Sequence, residues 1–299
     1  MEIINYTNCP VCGSHNLFPV FEAKDYTVSS RLFAVWECKH CSLRFTQDAP
    51  AAAFIGQYYQ SDNYISHSDT KQGLVNTLYH HVRKRTLTHK QKLIARITGQ
   101  DKGSLLDIGS GTGAFASHME KAGWKVMGLE PDEQTRRRAH ERYSIQLKPS
   151  EELFSISPGS YDAVTMWHVL EHVHDLHGYI HQLQRILKVT GKAFIAVPNY
   201  TSYDASVYKQ YWAAYDVPRH LYHFSPAAMK TLLTKHRLKL LRTEPMWYDS
   251  FYVSMLSEKY KTGAPGYMKA FFSGISSNLR AAVDKEKCSS LIYVIEKNL

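Results

Sequence analysis

Residues 105–115 read Leu-Leu-Asp-Ile-Gly-Ser-Gly-Thr-Gly-Ala-Phe, a short apolar strand that runs into alternating glycines and then into a helix-forming segment. This strand–loop–helix unit belongs to doubly wound α/β sheets, where ligands bind beyond the carboxyl ends of the strands. Gly109, Gly111 and Gly113 remove side chains where the backbone must turn sharply and approach a ligand, and the following helix offers N–H groups without intrahelical partners. A second apolar strand, Trp124-Lys-Val-Met-Gly-Leu-Glu130-Pro131-Asp132, ends in a carboxylate about 20 residues beyond the loop, where such sites grip a ribose diol. Together the two segments specify a pocket for an adenosine-type ligand.

The spacing separates two ligand classes. Pyrophosphate sites favour Gly-x-Gly-x-x-Gly, whereas this loop is Gly-x-Gly-x-Gly preceded by Asp107. Asp107 would repel a pyrophosphate and attract the ammonium group of an amino-acid tail. The stretch Asp107–Phe115 resembles the first motif of class I S-adenosylmethionine-dependent methyltransferases, and Glu130 matches their ribose-binding acid. The resemblance implies an α/β fold with a Rossmann-like, doubly wound, seven-stranded sheet whose last strand enters antiparallel. It also implies S-adenosylmethionine as cofactor, held by Asp107, Gly109, Gly111, Gly113, Glu130 and Pro131, with Ser150, Glu151, Trp167 and His168 completing the set.

Strand-like segments recur at Leu105–Ile108, Lys125–Leu129, Ala163–Trp167, Lys192–Pro198, Leu238–Thr243 and Ser290–Glu296, with helical periodicity between them. Asp175 is placed to cap a helix whose Ile180, Leu183, Ile186 and Leu187 share one face. We expect three units: a small module at 1–50, a helical connector at 51–99, and the ligand-binding domain at 100–299 with a helical, aromatic insertion at about 246–280. The insertion fits a cap over the substrate pocket or a dimer contact. The connector holds a helix from about Lys71 to Ile97 with an apolar face of Leu74, Leu78, Val82, Leu93 and Ile97. Its His80, Arg83, Lys84, Lys90 and Lys92 read as a solvated basic face, or alternatively as an RNA grip.

Cys9-Pro-Val-Cys12 and Cys38-Lys-His-Cys41 form two Cys-x-x-Cys pairs separated by 25 residues, a pattern suited to a structural, four-thiolate zinc ribbon. Strands at Leu17–Phe21 and Leu32–Glu37 would join the pairs. With four thiolates the metal has no open position for chemistry, so catalysis is sought elsewhere.

The third diagnostic segment is Tyr161-Asp-Ala-Val-Thr-Met-Trp167-His168-Val-Leu-Glu171-His172, a strand ending among polar groups. It resembles the fourth motif of small-molecule methyltransferases, especially the quinone-biosynthesis O-methyltransferase type, which carries a carboxylate where His168 stands. Relatives with Glu-x-x-Glu-His bind a divalent metal, which implies a possible second metal site at Glu171 and His172, with His168 and with His220 or His223 as further ligands. The metal-free reading makes His168, or one of His172, His220 and His223, a general base. A structural reading, in which Glu171 and His172 cap a helix or pair with each other, also stands. Later, Trp212–Pro226 carries Pro-Arg219-His220-Leu-Tyr222-His223-Phe-Ser, which looks like the signature of a zinc-ribbon branch related to sugar C-methyltransferases. Arg219 would then meet an anionic acceptor, and Tyr222 would line its pocket.

The formal net charge of +9 favours anionic partners: a phosphorylated or carboxylated small molecule, with RNA as the rival. No leader-like or membrane-length apolar run is read in the chain, so a cytoplasmic methyltransferase of a small acceptor, monomeric or homodimeric, is the expectation, with an RNA methyltransferase using the ribbon and basic helix, or a non-catalytic S-adenosylmethionine-binding module, as alternatives.

Overall fold

The computed structural model describes residues 2–60, 74–264 and 266–298, with backbone alone at 74–82. The part of the aromatic, polar stretch beyond residue 60, and the side chains of Leu74, Leu78, His80 and Val82, lie outside the described residues.

The central sheet is built from β6 (Ser104–Ile108), β7 (Lys125–Leu129), β8 (Tyr161–Trp167), β9 (Leu187–Pro198), β11 (Leu238–Pro245) and β12 (Ser290–Lys297) in the order β11-β12-β9-β8-β6-β7. The pairs among β7, β6, β8 and β9 are parallel, and β12 runs antiparallel to both β9 and β11. Buried on both faces, the second half of β9, Ala193–Pro198, is an unbroken apolar run. Leu106, Ile108, Val164, Met166, Ile195 and Val197 face one core, while Leu105, Ala163, Phe194, Ala196, Ile292 and Val294 face another. One core is closed by α4 (Leu176–Ile186). Asp175 caps this helix by accepting from Gly178 N at 2.9 Å, and Ile180, Leu183 and Ile186 are its buried stripe. The other core is covered by α1 (Leu74–Thr98), through Leu93 and Ile94, and by α2 (Ala114–Lys121), through Phe115 and Met119.

The sheet has six strands among the described residues, where the resemblance implied seven. Beyond β7 the chain returns at Lys148, whose N–H donates to Gly128 O and whose carbonyl accepts from Glu130 N, both at 2.9 Å, but only one isolated parallel bridge, Leu129 to Lys148, forms. Pro149 follows at once, and its lack of an N–H ends the ladder.

The cysteine-bearing segment folds as β2 (Leu17–Lys24), β3 (Leu32–Cys38) and β4 (Arg44–Thr46), and its sheet is completed from the other half of the chain. β10 (Tyr222–His223) pairs antiparallel with β4, setting Tyr222 opposite Phe45 and His223 opposite Arg44. Cys9, Val11, Leu43 and Phe45 share one core with Leu221, Phe224 and the sheet residues.

This joint reassigns three residues expected at the substrate. Arg219 is 1% exposed. Its Nε and Nη2 clasp the two oxygens of Asp216 at 3.0 and 2.6 Å, Nη2 also meets Asp25 Oδ1 at 3.2 Å, and Nη1 donates to Tyr58 O at 2.8 Å. The guanidinium is therefore an internal tie between the ribbon and the domain, and it is not presented to an acceptor. Tyr222, also buried, lies 3.4 Å from the Tyr6 hydroxyl. His223 packs edge-on to Tyr215, with Nε2 3.2 Å from Thr46 Oγ1. The physical reason is tertiary: pairing of β10 with β4 sends Tyr222 toward Tyr6 on one face and His223 toward Tyr215 on the other, while the preceding Arg219 is drawn in by Asp25 of the ribbon.

Replacing Arg219 by Met leaves Asp25 and Asp216 buried without their cation. Urea unfolding of Arg219→Met should show a loss of about 3–5 kcal/mol; a loss below about 1 kcal/mol would mean that the tie does not hold the joint.

Candidate active site

The glycine loop lies at the carboxyl end of β6. Gly109 (φ 71°) and Gly111 (φ 52°) take left-handed backbone conformations, which favour glycine. A Cβ on Gly109 would meet Val169 at 2.3 Å, so packing alone demands glycine there. A Cβ on Gly111 would meet nothing within 4 Å: that glycine leaves room beside the loop. Glu130, at the end of β7, accepts from Gly111 N at 2.9 Å and from Asp132 N at 3.1 Å, and burial raises its pKa. These bonds hold a carboxylate with spare lone pairs against the loop. Pro131 is exposed, and its carbonyl accepts from Arg136 at 2.7 Å. Ser150 and Glu151 open the short helix after Lys148, whose backbone bonds to Glu130 place them near the end of β7.

Asp107 sits beneath the loop, 1% exposed, and accepts from Thr165 Oγ1 at 2.6 Å. Burial pushes its carboxyl up to about 6, against the pull of the Thr165 and Ser110 hydrogen bonds and of Lys90. Lys90 is a residue the sequence reading assigned to a solvated face. In the structure its Nζ lies 4.0 Å over the Trp167 ring, and burial pulls it down to about 8 against the fields of Asp249 and Asp107. Arg83, from the same helix, donates to Thr112 Oγ1 at 3.0 Å. The face of α1 expected to be solvated, or to grip RNA, thus turns two cations toward the glycine loop. Trp167 packs edge-on to Phe115, with ring centroids 5.4 Å apart.

At the end of β8, His168 takes φ 58°, a conformation uncommon outside glycine that clusters at functional sites. Its Nε2 is 3.1 Å from Asp249 Oδ2 and its Nδ1 3.4 Å from Glu171 Oε1. Burial opposes the imidazolium, but the hydrogen bonds and charges of Asp249 and Glu171 outweigh it and raise His168 to about 10. With a carboxylate facing each ring nitrogen, the pairing favours the imidazolium, a form without a lone pair to act as the general base expected from the sequence. Asp249 comes from α7 (Asp249–Thr262) of the helical insertion.

Glu171 is fully buried, and among the described residues its carboxylate has no polar side-chain contact closer than the long approach of His168 Nδ1 to Oε1 at 3.4 Å. Its ligand atom and those of His172 and His220 lie within 4.8 Å of one another, and the two imidazoles meet edge to face at 4.5 Å. His172 Nδ1 is 3.0 Å from Arg219 O, and His220 Nδ1 is 2.8 Å from Ala214 O. A carbonyl accepts only, so both Nδ1 atoms carry the proton and both Nε2 atoms carry the lone pair. Tyr59 Oη also approaches His172 Nδ1, at 3.0 Å. The structure thus joins Glu171, His172 and His220 into one cluster, with His168 beside it, and leaves His223 in the ribbon joint.

The four ribbon cysteines are free thiols. Cys9 Sγ is 3.5 Å from Cys41 Sγ, Cys12 Sγ is 3.5 Å from Cys38 Sγ, and all four lie within 4.8 Å of one another. Tetrahedral zinc with Zn–S bonds of about 2.3 Å requires S···S edges of about 3.8 Å, so the residues fit the ion.

A family model described as a methyltransferase domain matches residues 79–243, more than half of the chain. The chain belongs to the methyltransferase-domain family. It is 29% identical over 158 residues to the ubiquinone biosynthesis O-methyltransferase of Xanthomonas oryzae pv. oryzae (strain PXO99A), across 48% of this chain and 66% of that one. It is 32% identical over 127 residues to the protein of the same name from Sodalis glossinidius (strain morsitans), across 40% and 50%. In both, the match spans less than two thirds of the relative's own length. Among solved structures, geranyl diphosphate C-methyltransferase from Streptomyces coelicolor A3(2) superposes with a TM-score of 0.52 at 16% identity, covering 77% of this chain and 88% of that one. The PH0226 protein of Pyrococcus horikoshii OT3 gives 0.51 at 13%, covering 78% and 98%. These structures share the methyltransferase fold with this chain.

Sequence reasoning missed Lys90, Asp249 and Tyr59. Only Lys90 carried a signal, since it stands three residues before the buried Leu93 on the apolar side of its helix.

Metal analysis of the purified chain should return one zinc per molecule, and Cys38→Ser should lose it together with the ribbon's thermal stability. Full zinc content in Cys38→Ser, or a disulfide found by intact mass, would reject the ribbon assignment.

Proposed function

We propose that this chain transfers a methyl group from S-adenosylmethionine to an oxygen or carbon of a small, anionic acceptor. The observation that carries this reading is the Glu130 carboxylate held against the Gly111 amide beside the open side of the loop, where a ribose diol would be gripped. Asp107 and Lys90 present opposite charges near the same loop, which suits a zwitterionic amino-acid tail. Bound S-adenosylmethionine supplies a sulfonium methyl group open to in-line attack. The chain's own residues hold the partners in line, exclude water and accept the acceptor's proton.

In this reading His172 takes the base role, held neutral by burial and by His220, which pull its pKa down to about 4. Its Nε2 lone pair is fixed by the Nδ1–H bond to Arg219 O, and Glu171 stands by to stabilise the imidazolium that forms. His168, as a cation, acts on Glu171 and on an anionic acceptor instead. Arg219 and Tyr222 have no part in acceptor binding in this reading, and the net charge of +9 supports attraction of an anion at longer range. Bound zinc would sit in the ribbon with a structural role.

A second reading is favoured by one observation: two imidazoles with Nδ1–H tied to backbone carbonyls, set beside a buried carboxylate that has only the long His168 contact, have the orientation that outer partners give to metal ligands. Glu171, His172 and His220 would then hold a divalent cation that lowers the pKa of an acceptor hydroxyl. Loss of turnover in EDTA with the fold intact, restored by Mg²⁺ or Mn²⁺, would select this reading.

The deciding experiment transfers labelled methyl from S-adenosylmethionine into metabolite, RNA and protein fractions, with Glu130→Ala as control. Label in the metabolite fraction that requires Glu130 supports the proposal; label in RNA alone rejects it. Glu130→Ala should weaken S-adenosylmethionine about 10- to 150-fold, the worth of hydrogen bonds to a charged group. His172→Gln should cost about 10²–10⁴ in kcat while leaving that affinity unchanged.

The pH dependence follows from Asp107. Its carboxyl, raised to about 6, is ionised above that value and neutral below it, so attraction for the ammonium group is present above pH 6 and lost as pH falls through it. Calorimetric titration should show affinity falling below about pH 6 in the wild type and flat in Asp107→Asn. An unchanged profile in Asp107→Asn would remove Asp107 from the tail site.

A further inference from the structure

The outer helix of the insertion has its amphipathicity reversed. α8 (Tyr267–Val283) turns Ala270, Gly274, Ser277 and Ala281 inward, and it approaches α7 so closely that a Cβ on Gly274 would meet the Phe251 ring at 2.7 Å. The large apolar side chains of the same helix face the other way. Tyr267 is 65% exposed, Met268 74%, Phe271 55%, Phe272 59%, Leu279 64% and Val283 92%. At 3.6 residues per turn the two sets centre on opposite sides of the helix axis, the inverse of an ordinary surface helix. A run of exposed apolar side chains along one helix face marks an interaction surface.

Charge decides among occupants. α8 contains Lys269 and Arg280 and no acidic residue, and the last turn of α7 adds Lys259 and Lys261. Arg280 rests on the Tyr203 ring at 4.2 Å, while Lys259, Lys261 and Lys269 are exposed at the tip of the hairpin, next to Tyr267 and Met268. Pairing α8 with its copy across a two-fold axis would bring cation to cation. An anionic surface with an apolar interior answers both features at once. We propose that the α7–α8 hairpin lays its outer face on an anionic lipid bilayer, with Met268, Phe271 and Phe272 entering the boundary between headgroups and acyl chains and the three lysines reaching lipid phosphates. No helix among the described residues is long and apolar enough to cross a membrane, so the attachment is adsorption within the interface. This inference does not depend on which acceptor is methylated.

The test is co-sedimentation of the full chain with vesicles of phosphatidylcholine alone and of phosphatidylcholine containing one third phosphatidylglycerol. Binding should appear with the anionic vesicles, weaken with added salt, and disappear in a Met268→Ser, Phe272→Ser double variant whose circular dichroism and zinc content are unchanged. Replacing Lys259, Lys261 and Lys269 together by Gln should weaken binding about a hundredfold. Absence of binding, equal binding to both vesicle types, or binding that survives the double variant would overturn the proposal. So would a wild-type dimer in sedimentation equilibrium that the double variant converts to monomer, which would assign the face to a second copy of the chain.

Discussion

The buried guanidinium of Arg219 is the interaction on which the rest of the site depends. It holds Asp25 of the ribbon and Asp216 of the domain at once, and a charge so placed is tolerable only because its donors are taken by carboxylates and by a carbonyl. The carbonyl of the same residue fixes the His172 tautomer, and the next residue supplies His220. The ribbon therefore reaches the chemistry through two bonds: zinc would hold the cysteines, the cysteines hold the strand beneath Asp25, and Asp25 helps to hold the segment that aims both imidazoles. A zinc ion held by the cysteines would in this way bear on the cluster through the ribbon's strands alone.

Charges alternate along the carboxyl edge of the sheet. Lys90, Asp249, His168 and Glu171 form a series in which each group faces one of opposite sign, with Asp107 close to the first member. In a site of low dielectric such a series is rigid, because moving one member exposes its neighbours to uncompensated charge. The helical insertion enters the series through Asp249, which links the position of that hairpin to the protonation of His168.

Much of this was legible in the residues. The Gly109–Gly113 loop and Glu130 declared their local chemistry because glycine conformation and strand-end carboxylates are properties of short segments, and the paired Cys-x-x-Cys motifs did the same for the ribbon. The strands of the central sheet were also readable from their apolar runs. The roles of Tyr222 and His223 were not, because they depend on pairing between β10 and the distant β4, and that of Arg219 was not, because Asp25 reaches it from the ribbon. The charge state of His168 was equally hidden, since Asp249 reaches it from a segment that reads as an aromatic insertion. Lys90 was misplaced because its charge outweighed its spacing: it stands three and seven residues before Leu93 and Ile97, which sets it on the apolar side of the helix, over Trp167. That the sheet stops at six strands among the described residues could have been suspected from Pro149, one residue past the point where the ladder had to continue.

The pairing of β10 with β4 also orders events during synthesis. Thr46 and His223 touch although 177 residues separate them, so the ribbon emerges from the ribosome with β4 as an open edge, its backbone groups unpaired until most of the domain has been made. Such an edge is a template for wrong partners, and closing it brings together distant parts of the chain at a cost in loop entropy that slows folding. Metal capture by the four cysteines would need only the first 41 residues, which would let the amino-terminal turn form early and wait for its last strand.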